Sequence, residues 1–124
     1  MSFTQSSFFN SKFFWNHGSI IGGGIGLTQQ SSAYIENVLF FYCSSARGGA
    51  ISLNEGSSAI IKNSTFIGNF ANEGGVVHSV EDYHAIMAIS NSTFVNNYGD
   101  LNLFNGLDSN FVLNNSILIN NTNM

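Results

Sequence analysis

One short stretch of the sequence gathers side chains able to bind a metal ion or transfer a proton. Two histidines and two carboxylates lie in residues 77–84, namely His78, Glu81, Asp82 and His84. Imidazole nitrogens and carboxylate oxygens are ligands for zinc and related metals. Their spacing here matches no established ligand motif, so we interpret the stretch as a solvated loop. We predict no metal ion and no other cofactor.

The acidic residues as a whole do not indicate a polysaccharide lyase or hydrolase. Such enzymes need carboxylates clustered on one face, with a calcium ion and a basic residue or as an acid–base pair. Arg47 is the only arginine. The carboxylates share no position in the internal repeat: Glu36, Glu55, Glu73, Glu81, Asp82, Asp100 and Asp108. We therefore predict no catalytic residues, with a truncated carbohydrate-active enzyme as the alternative.

Three single side chains have structural as well as functional interpretations. Cys43 is the only cysteine, which excludes an internal disulfide and a multi-cysteine metal site, and we expect a small buried thiol there. Trp15 and Tyr42 share one outward-facing position of the repeat. They are candidates for an exposed aromatic strip that binds carbohydrate, although packing under an adjacent loop is the more ordinary use of such rings.

Four Asn-x-Ser/Thr matches are candidate glycan acceptors in a eukaryotic secretory setting. They begin at Asn63, Asn91, Asn114 and Asn120. We expect Asn63 and Asn91 to belong to an inward-facing ladder, where a glycan does not fit. Asn114 and Asn120 are the better acceptors.

The composition limits the classes of partner. Only 8% of the residues are charged, with three Lys and Arg against seven Asp and Glu, so we predict no nucleic-acid binding. Hydrophobic residues make up 44% of the chain, enough for a buried core. The first residues have no basic and apolar pattern of a signal peptide, and no apolar run is long enough to span a bilayer.

These side chains are positioned by an internal repeat. Its five copies begin at Asn10, Asn37, Asn63, Asn91 and Asn115 and read NSKFFWN, NVLFFYC, NSTFIGN, NSTFVNN and NSILINN. The steps between the leading Asn residues are 27, 26, 28 and 24, the length of one turn of a three-sided β-solenoid. Three residues after each leading Asn stands an apolar column: Phe13, Phe40, Phe66, Phe94 and Leu118. Six residues after it stands a second column: Asn16, Cys43, Asn69, Asn97 and Asn121.

Short alternating apolar runs and paired glycines complete each unit. The glycine block reads GGGIGL from Gly22, GGAISL from Gly48 and GGVVH from Gly74, with a degraded fourth copy from Gly99. The alternation and the β-branched residues favour strands over helices. We predict three strands per unit, of the type SSAIIKN, STFIGN and GGAISL.

Strands repeated at a near-constant period predict an all-β right-handed parallel β-helix. We expect one domain over residues 1–124, with a three-sided solenoid of about five coils. Like residues of successive coils then stack at a strand spacing of about 4.8 Å, the Phe column forming the core and the Asn residues forming amide ladders at bends. The sequence ends within a repeat, so we expect a fragment of a longer solenoid, with further coils of a longer chain as partners.

The repeat resembles that of a known family of surface proteins. Gly48-Gly49-Ala50-Ile51, combined with Phe66-Ile67-Gly68-Asn69 and Phe94-Val95-Asn96-Asn97, is similar to the repeats of chlamydial polymorphic outer membrane proteins, within the pectin-lyase-like β-helices. The resemblance extends from about residue 8 to residue 121. It implies an exported, extracellular or cell-surface region that is often adhesive. We therefore expect a non-catalytic structural spacer or adhesin, with a host-cell or carbohydrate surface as a candidate partner.

Overall fold

The described residues are built from short parallel strands. A computed structural model of the protein describes residues 4–79, 85–99, 104–106 and 110–123. Within these ranges the chain forms an all-β parallel solenoid of about four coils, with four parallel sheets and no helix. The predicted fold class, an all-β parallel β-solenoid, is confirmed. It has about four coils rather than about five, because the described strands of the first and last coils make only part of a turn, and it has four sheets rather than three sides.

The strands follow one another coil by coil. The first coil contains β1 (Gln5–Phe9), β2 (Lys12–Phe14) and β3 (Ile25–Leu27). The second contains β4 (Ser32–Glu36), β5 (Leu39–Phe41), β6 (Ser44–Arg47) and β7 (Ile51–Leu53). The third contains β8 (Ser58–Lys62), β9 (Thr65–Ile67), β10 (Phe70–Glu73) and β11 (Val77–Ser79). The next contains β12 (Ile86–Ser90), β13 (Thr93–Val95), β14 (Tyr98–Gly99) and β15 (Phe104–Gly106). The last contains β16 (Asn110–Asn114), β17 (Ile117–Ile119) and β18 (Thr122–Asn123).

Equivalent strands of successive coils pair to form the four sheets. Sheet A contains β1, β4, β8, β12 and β16, and sheet B contains β2, β5, β9, β13 and β17. Sheet C contains β6, β10, β14 and β18, and sheet D contains β3, β7, β11 and β15. In the first coil, His17 and Ile21 make isolated bridges to β6 in place of a sheet C strand.

The core is a stack of phenylalanine rings on the inner side of sheet B. Phe13, Phe40, Phe66, Phe94 and Leu118 are register partners on successive rungs. The ring centroids lie 4.9, 4.8 and 4.8 Å apart and the rings are nearly parallel. The three middle rings are fully buried, whereas Leu118 is 48% exposed. Burial of each ring removes apolar surface from water, worth about 1.5–3 kcal/mol.

Two corners of each coil bend through the left-handed backbone region. Between sheets A and B the corner residue is the leading Asn of the repeat, with φ from +48° to +55°. Asn tolerates this conformation better than most residues. Between sheets B and C the corner residues also have positive φ: Trp15, Tyr42, Gly68, Asn96 and Asn120.

The glycine pairs serve two different purposes. The first glycine of each pair has positive φ, as at Gly48 and Gly74. The second lies against the next coil, and a Cβ on Gly49 would stand 2.2 Å from the Gly75 carbonyl oxygen. Both a left-handed bend and a close backbone approach therefore require glycine here.

The three-strand division of the coil omits sheet C. Its strands are two to four residues long and read SSAR, FANE and YG where side chains are described. Such short polar runs carry no clear alternation, so the pattern does not reveal them.

The prediction that a fourth glycine block begins at Gly99 is also wrong. Gly99 pairs with Ala71 in sheet C, and the strand stacked on Val77–Ser79 is Phe104–Gly106. Residues 100–103, which completed the predicted block, lie outside the described residues.

Candidate functional site

The column six residues after the leading Asn forms a buried amide ladder. Asn69 and Asn97 are fully buried. The Asn97 Oδ1 accepts from the Asn69 backbone N–H at 2.9 Å and from the Asn69 Nδ2 at 2.8 Å. The Asn121 Oδ1 accepts the same pair of bonds from Asn97. Each Nδ2 also donates to a carbonyl of the preceding coil, at Phe40, Phe66 and Phe94. We call this column the inner ladder.

Cys43 interrupts the inner ladder and reproduces part of its bonding. Its thiol donates to the Phe13 carbonyl at 3.4 Å, the place that an amide Nδ2 takes in later coils. Its backbone N–H donates to the Asn69 Oδ1 at 3.0 Å. Burial raises the pKa of the thiol, against the opposing effect of hydrogen bonds with the Asn16 and Phe41 backbones. Asn16, at the end of the column, is exposed.

The leading Asn residues do not face inward, contrary to expectation. Asn10, Asn37, Asn63, Asn91 and Asn115 are all exposed at the corner between sheets A and B. The Asn37 Nδ2 donates to the Asn10 Oδ1 at 2.7 Å, and the Asn115 Nδ2 to the Asn91 Oδ1 at 2.6 Å. The Asn63 Nδ2 instead donates to Glu36 at 3.4 Å. We call this column the outer ladder. The predicted burial of Asn63 and Asn91 is wrong because a left-handed corner turns their side chains outward, so burial excludes a glycan at neither.

Sequence reasoning missed a serine ladder next to the outer Asn residues. The Ser64 and Ser92 hydroxyls accept from the backbone N–H groups of Val38 and Ser64 in the preceding coils, each at 3.2 Å. Each hydroxyl also donates to a carbonyl two residues earlier, at 2.9 Å. The Asn-Ser pair that opens four of the five repeats was the available signal.

The outward side chains of the first two coils form a cluster of aromatic rings, of which Phe41 is half-buried and the other three are exposed. We call Phe14, Trp15, Phe41 and Tyr42 the aromatic ledge. The Trp15 and Tyr42 rings stack at 4.7 Å and 12°, and the Phe41 ring meets the Tyr42 ring edge-on at 4.6 Å. Trp15, the only tryptophan of the chain, is 69% exposed and Tyr42 is 42% exposed. These rings therefore lie open to solvent rather than under a loop.

A shallow groove runs beside the ledge along the outer ladder. Its volume is about 360 Å³, and its lining residues are Asn10, Ser11, Lys12, Asn37, Val38, Leu39, Asn63, Thr65 and Ile67. We call it the corner groove. Ile67 is the register partner of Phe41, and the Lys12 Nζ lies 6.0 Å from the Phe14 ring centroid. The groove and the ledge thus share the outer face of sheet B.

Among the described residues, one cluster contains groups suited to acid–base chemistry. Glu73 Oε2 lies 3.2 Å from Arg47 Nε and 3.2 Å from the buried His78 Nε2. Glu73 and Arg47 are register partners of adjacent coils. The cluster therefore ties two rungs of sheet C to sheet D.

The interpretation of residues 77–84 as a solvated loop is wrong for their first part, because Val77–Ser79 form the buried strand β11, and residues 80–84 lie outside the described residues. Within the described ranges, no three His, Cys, Asp or Glu side chains come together as metal ligands. Glu81, Asp82 and His84 lie outside the described residues, as do Asp100 and Asp108. The same ranges contain no helix with the length and apolarity needed to cross a membrane.

Comparison with known proteins places the chain in no family. The sequence matches no protein-family model and no curated protein. The class of the protein is therefore defined by its architecture, a parallel β-solenoid.

Proposed function

We propose that the protein is a non-catalytic β-solenoid module of the cell surface or extracellular space that acts as a spacer or adhesin. The observation that carries this proposal is the contrast between inward and outward columns. The inward column of sheet B repeats Phe in four coils, whereas its outward neighbour reads Phe14, Phe41, Ile67, Val95 and Ile119. A constant frame with a variable, partly apolar exterior suits recognition rather than a single conserved reaction.

The bonding of the described carboxylates supports a structural role for them. The Glu55 Oε2 accepts from the Gln29 backbone N–H of the preceding coil at 2.8 Å. Glu73 pairs with Arg47 of the preceding coil, and Glu36 accepts from Asn63 of the next coil. Each of these acids joins neighbouring coils.

The surface location rests on the similarity of the GGAI and FxxN elements to chlamydial-type surface repeats. In such proteins these elements belong to exported regions. Adhesion and display at a distance from the membrane are the roles that this similarity favours.

Removal of a single coil tests the proposal. Deleting residues 64–91 joins Asn63 to Ser92, which are consecutive positions of the repeat. The four residues of the aromatic ledge are retained, but Asn96 takes the place of Gly68 beside the Tyr42 ring. We expect small-angle scattering to report a rod shorter by about 4.8 Å. Binding of the purified protein to cultured cells and immobilised polysaccharides should be reduced but not lost.

The same preparation tests the enzyme alternative. Full-length protein is incubated with pectin, alginate and related polyuronides, with and without calcium. Product formation that disappears in Glu73→Gln would overturn the non-catalytic role. Absence of binding to every surface would leave only the spacer role.

A further inference from the structure

We propose that the aromatic ledge and the corner groove together form a binding site for neutral glycans. The inference deepens the adhesin role proposed above by naming its ligand class, and it rests on that role. It is drawn from three independent features of the first coils: strained backbone under exposed aromatic rings, a row of uncharged amides, and a nearly uncharged lining.

Two residues of the ledge have a backbone conformation that is costly for large side chains. Trp15 and Tyr42 have φ of +54° and +51°, a region that is unfavourable for bulky side chains. The equivalent corners of later coils use Gly68, Asn96 and Asn120, which adopt this conformation at less cost. Because Trp15 is 69% exposed, little burial of its ring offsets the strain. Strained, exposed residues of this kind concentrate at binding sites.

The rings are held in a fixed arrangement. Trp15 stacks on Tyr42, and a Cβ on Gly68 would lie 2.7 Å from the Tyr42 ring. The ring of Tyr42 therefore rests on the bare backbone of the following coil. The face of the Trp15 ring that is turned away from Tyr42 offers a flat apolar surface to the C–H face of a pyranose ring, and its stacking on Tyr42 reduces the side-chain freedom lost on binding.

The polar contacts of a sugar are available in the groove. The exposed amides of Asn10, Asn37 and Asn63 line it, and each amide carries both donors and an acceptor. Hydroxyl groups of a glycan need this mixed capacity. Successive rungs are about 4.8 Å apart, comparable with the length of one pyranose residue, so a linear chain can meet one amide per sugar.

The charge of the lining selects neutral glycans. Among the nine lining residues, Lys12 is the only charged side chain. One cation is too few to attract a polyanion such as polygalacturonate or nucleic acid. A neutral oligosaccharide is the ligand that such a lining matches.

An array of neutral oligosaccharides of glucose, galactose, mannose and N-acetylglucosamine, with polygalacturonate as the charged comparison, tests the site. We expect the full chain to bind at least one neutral oligosaccharide of the array. The affinity for that oligosaccharide is then measured by isothermal titration calorimetry. Trp15→Asn should weaken this affinity by at least about tenfold, the loss typical of a central aromatic contact. Its melting temperature should equal or exceed that of the unmodified protein, since Asn is the residue of later coils. Trp15→Phe should retain part of the affinity.

A matched control removes an exposed aromatic ring elsewhere. Phe70, 43% exposed, stacks on Tyr98 in sheet C at 5.2 Å, so Phe70→Thr should leave glycan affinity unchanged. The proposal is overturned if no neutral glycan binds, if only polygalacturonate binds, or if Trp15→Asn binds as well as the unmodified protein. If the unmodified protein self-associates and the Trp15→Asn variant is monomeric, the ledge binds a second copy of the chain and not a glycan.

The outcomes separate this inference from the adhesin role. Cell binding that persists in Trp15→Asn would overturn the glycan site and leave adhesion through another surface. A lowered melting temperature of Trp15→Asn would contradict the strain argument directly. Loss of cell binding in both Trp15→Asn and Phe70→Thr would indicate a broad apolar contact rather than a sugar site.

Discussion

Asparagine residues have different roles in the two ladders. In the inner ladder the Asn97 side chain makes four hydrogen bonds inside the solenoid, two as donor and two as acceptor. In the outer ladder Asn63 makes one long contact at the surface, and its main contribution is a left-handed corner. The energetic cost of losing an amide should therefore depend strongly on the column.

Replacing Asn97 by Leu should be far more damaging than replacing Asn63 by Gly. Asn97→Leu leaves the backbone N–H of Asn69 and one of its two Nδ2 hydrogens without acceptors, at about 1–3 kcal/mol for each buried group. Asn63→Gly keeps the corner conformation and should change the free energy of unfolding by about 0.5 kcal/mol or less. Urea unfolding of both variants measures the difference. Equal losses would show that corner geometry, and not buried bonding, dominates.

Cys43 is an incomplete rung that a single substitution should complete. By the pattern of the later rungs, Cys43→Asn replaces the thiol with an Nδ2 that donates to the Phe13 carbonyl and to the Asn69 Oδ1, and adds an Oδ1 that can accept from Asn16. We expect the free energy of unfolding to rise by about 0.5–1.5 kcal/mol, the net value of one hydrogen bond. Cys43→Ala, which removes the thiol without a replacement, should lower it. A Cys43→Asn variant less stable than Cys43→Ala would show that this rung has no room for an amide.

The buried thiol should also make stability depend on alkaline pH. Its pKa is raised in the folded chain, so the unfolded chain loses the proton first as the pH rises. The contribution is constant below the ordinary pKa of a thiol and decreases between that value and the raised one. Comparison of the unfolding free energy of the unmodified protein with that of Cys43→Ser across this interval measures the effect. Parallel pH profiles would contradict the stated burial.

At the level of single residues, the sequence did not predict which of the two Asn columns faces inward. The two Asn columns look alike in sequence, and both were expected to form ladders, but only geometry shows that one faces outward. The signal that separates them is local. The outer Asn residues stand at the left-handed corner itself, whereas the inner ones follow a corner occupied by Trp, Tyr, Gly or Asn.

At the level of elements, strand alternation predicts sheets A, B and D because each buries one apolar face. Strand alternation does not predict sheet C, because the strands of this sheet are short and polar. Its position is set by neighbours: β10 pairs with β6 and β14, and the preceding left-handed corner directs the chain into it. Turn geometry, rather than side-chain pattern, determines this element.

Two glycine substitutions should separate close packing from simple flexibility. A Cβ on Gly49 would meet backbone oxygens at 2.2 and 2.7 Å, so Gly49→Ala should cost about 2 kcal/mol or more as two coils are forced apart. Gly26, in β3, has its nearest neighbour 4.0 Å away. Gly26→Ala should be neutral or stabilising by about 0.5–1 kcal/mol. Thermal unfolding compares the two, and a tolerated Gly49→Ala would refute the close approach.

At the scale of the whole molecule, the described strands of each coil pair with their equivalents in the adjacent coils. Stability should therefore be a sum over coils and their interfaces. Removing residues 64–91 preserves the register, so the shortened protein should fold, with a lower free energy of unfolding and a smaller dependence on urea concentration. These quantities come from one denaturation curve.

A deletion that is one residue shorter supplies the control. Removing residues 64–90 leaves Asn91 after Asn63 and shifts the following strand by one position. Phe94 would then face solvent, because neighbouring residues of a strand point to opposite sides. We expect this variant to misfold. If both deletions were equally stable, the stacking of like residues would not specify the fold.

Trp15, the only tryptophan of the chain, lies in the first coil, and its intrinsic fluorescence can be followed separately from the rest of the molecule. The Trp15 ring stacks on the Tyr42 ring, so its fluorescence emission reports on the first two coils. Circular dichroism in the far ultraviolet reports on the strands of all coils. In this array of neighbour-coupled units, the first described coil pairs with a described coil on one side. The two signals should therefore change at different temperatures, emission first, and the gap between them measures how far melting proceeds inward from the first coil.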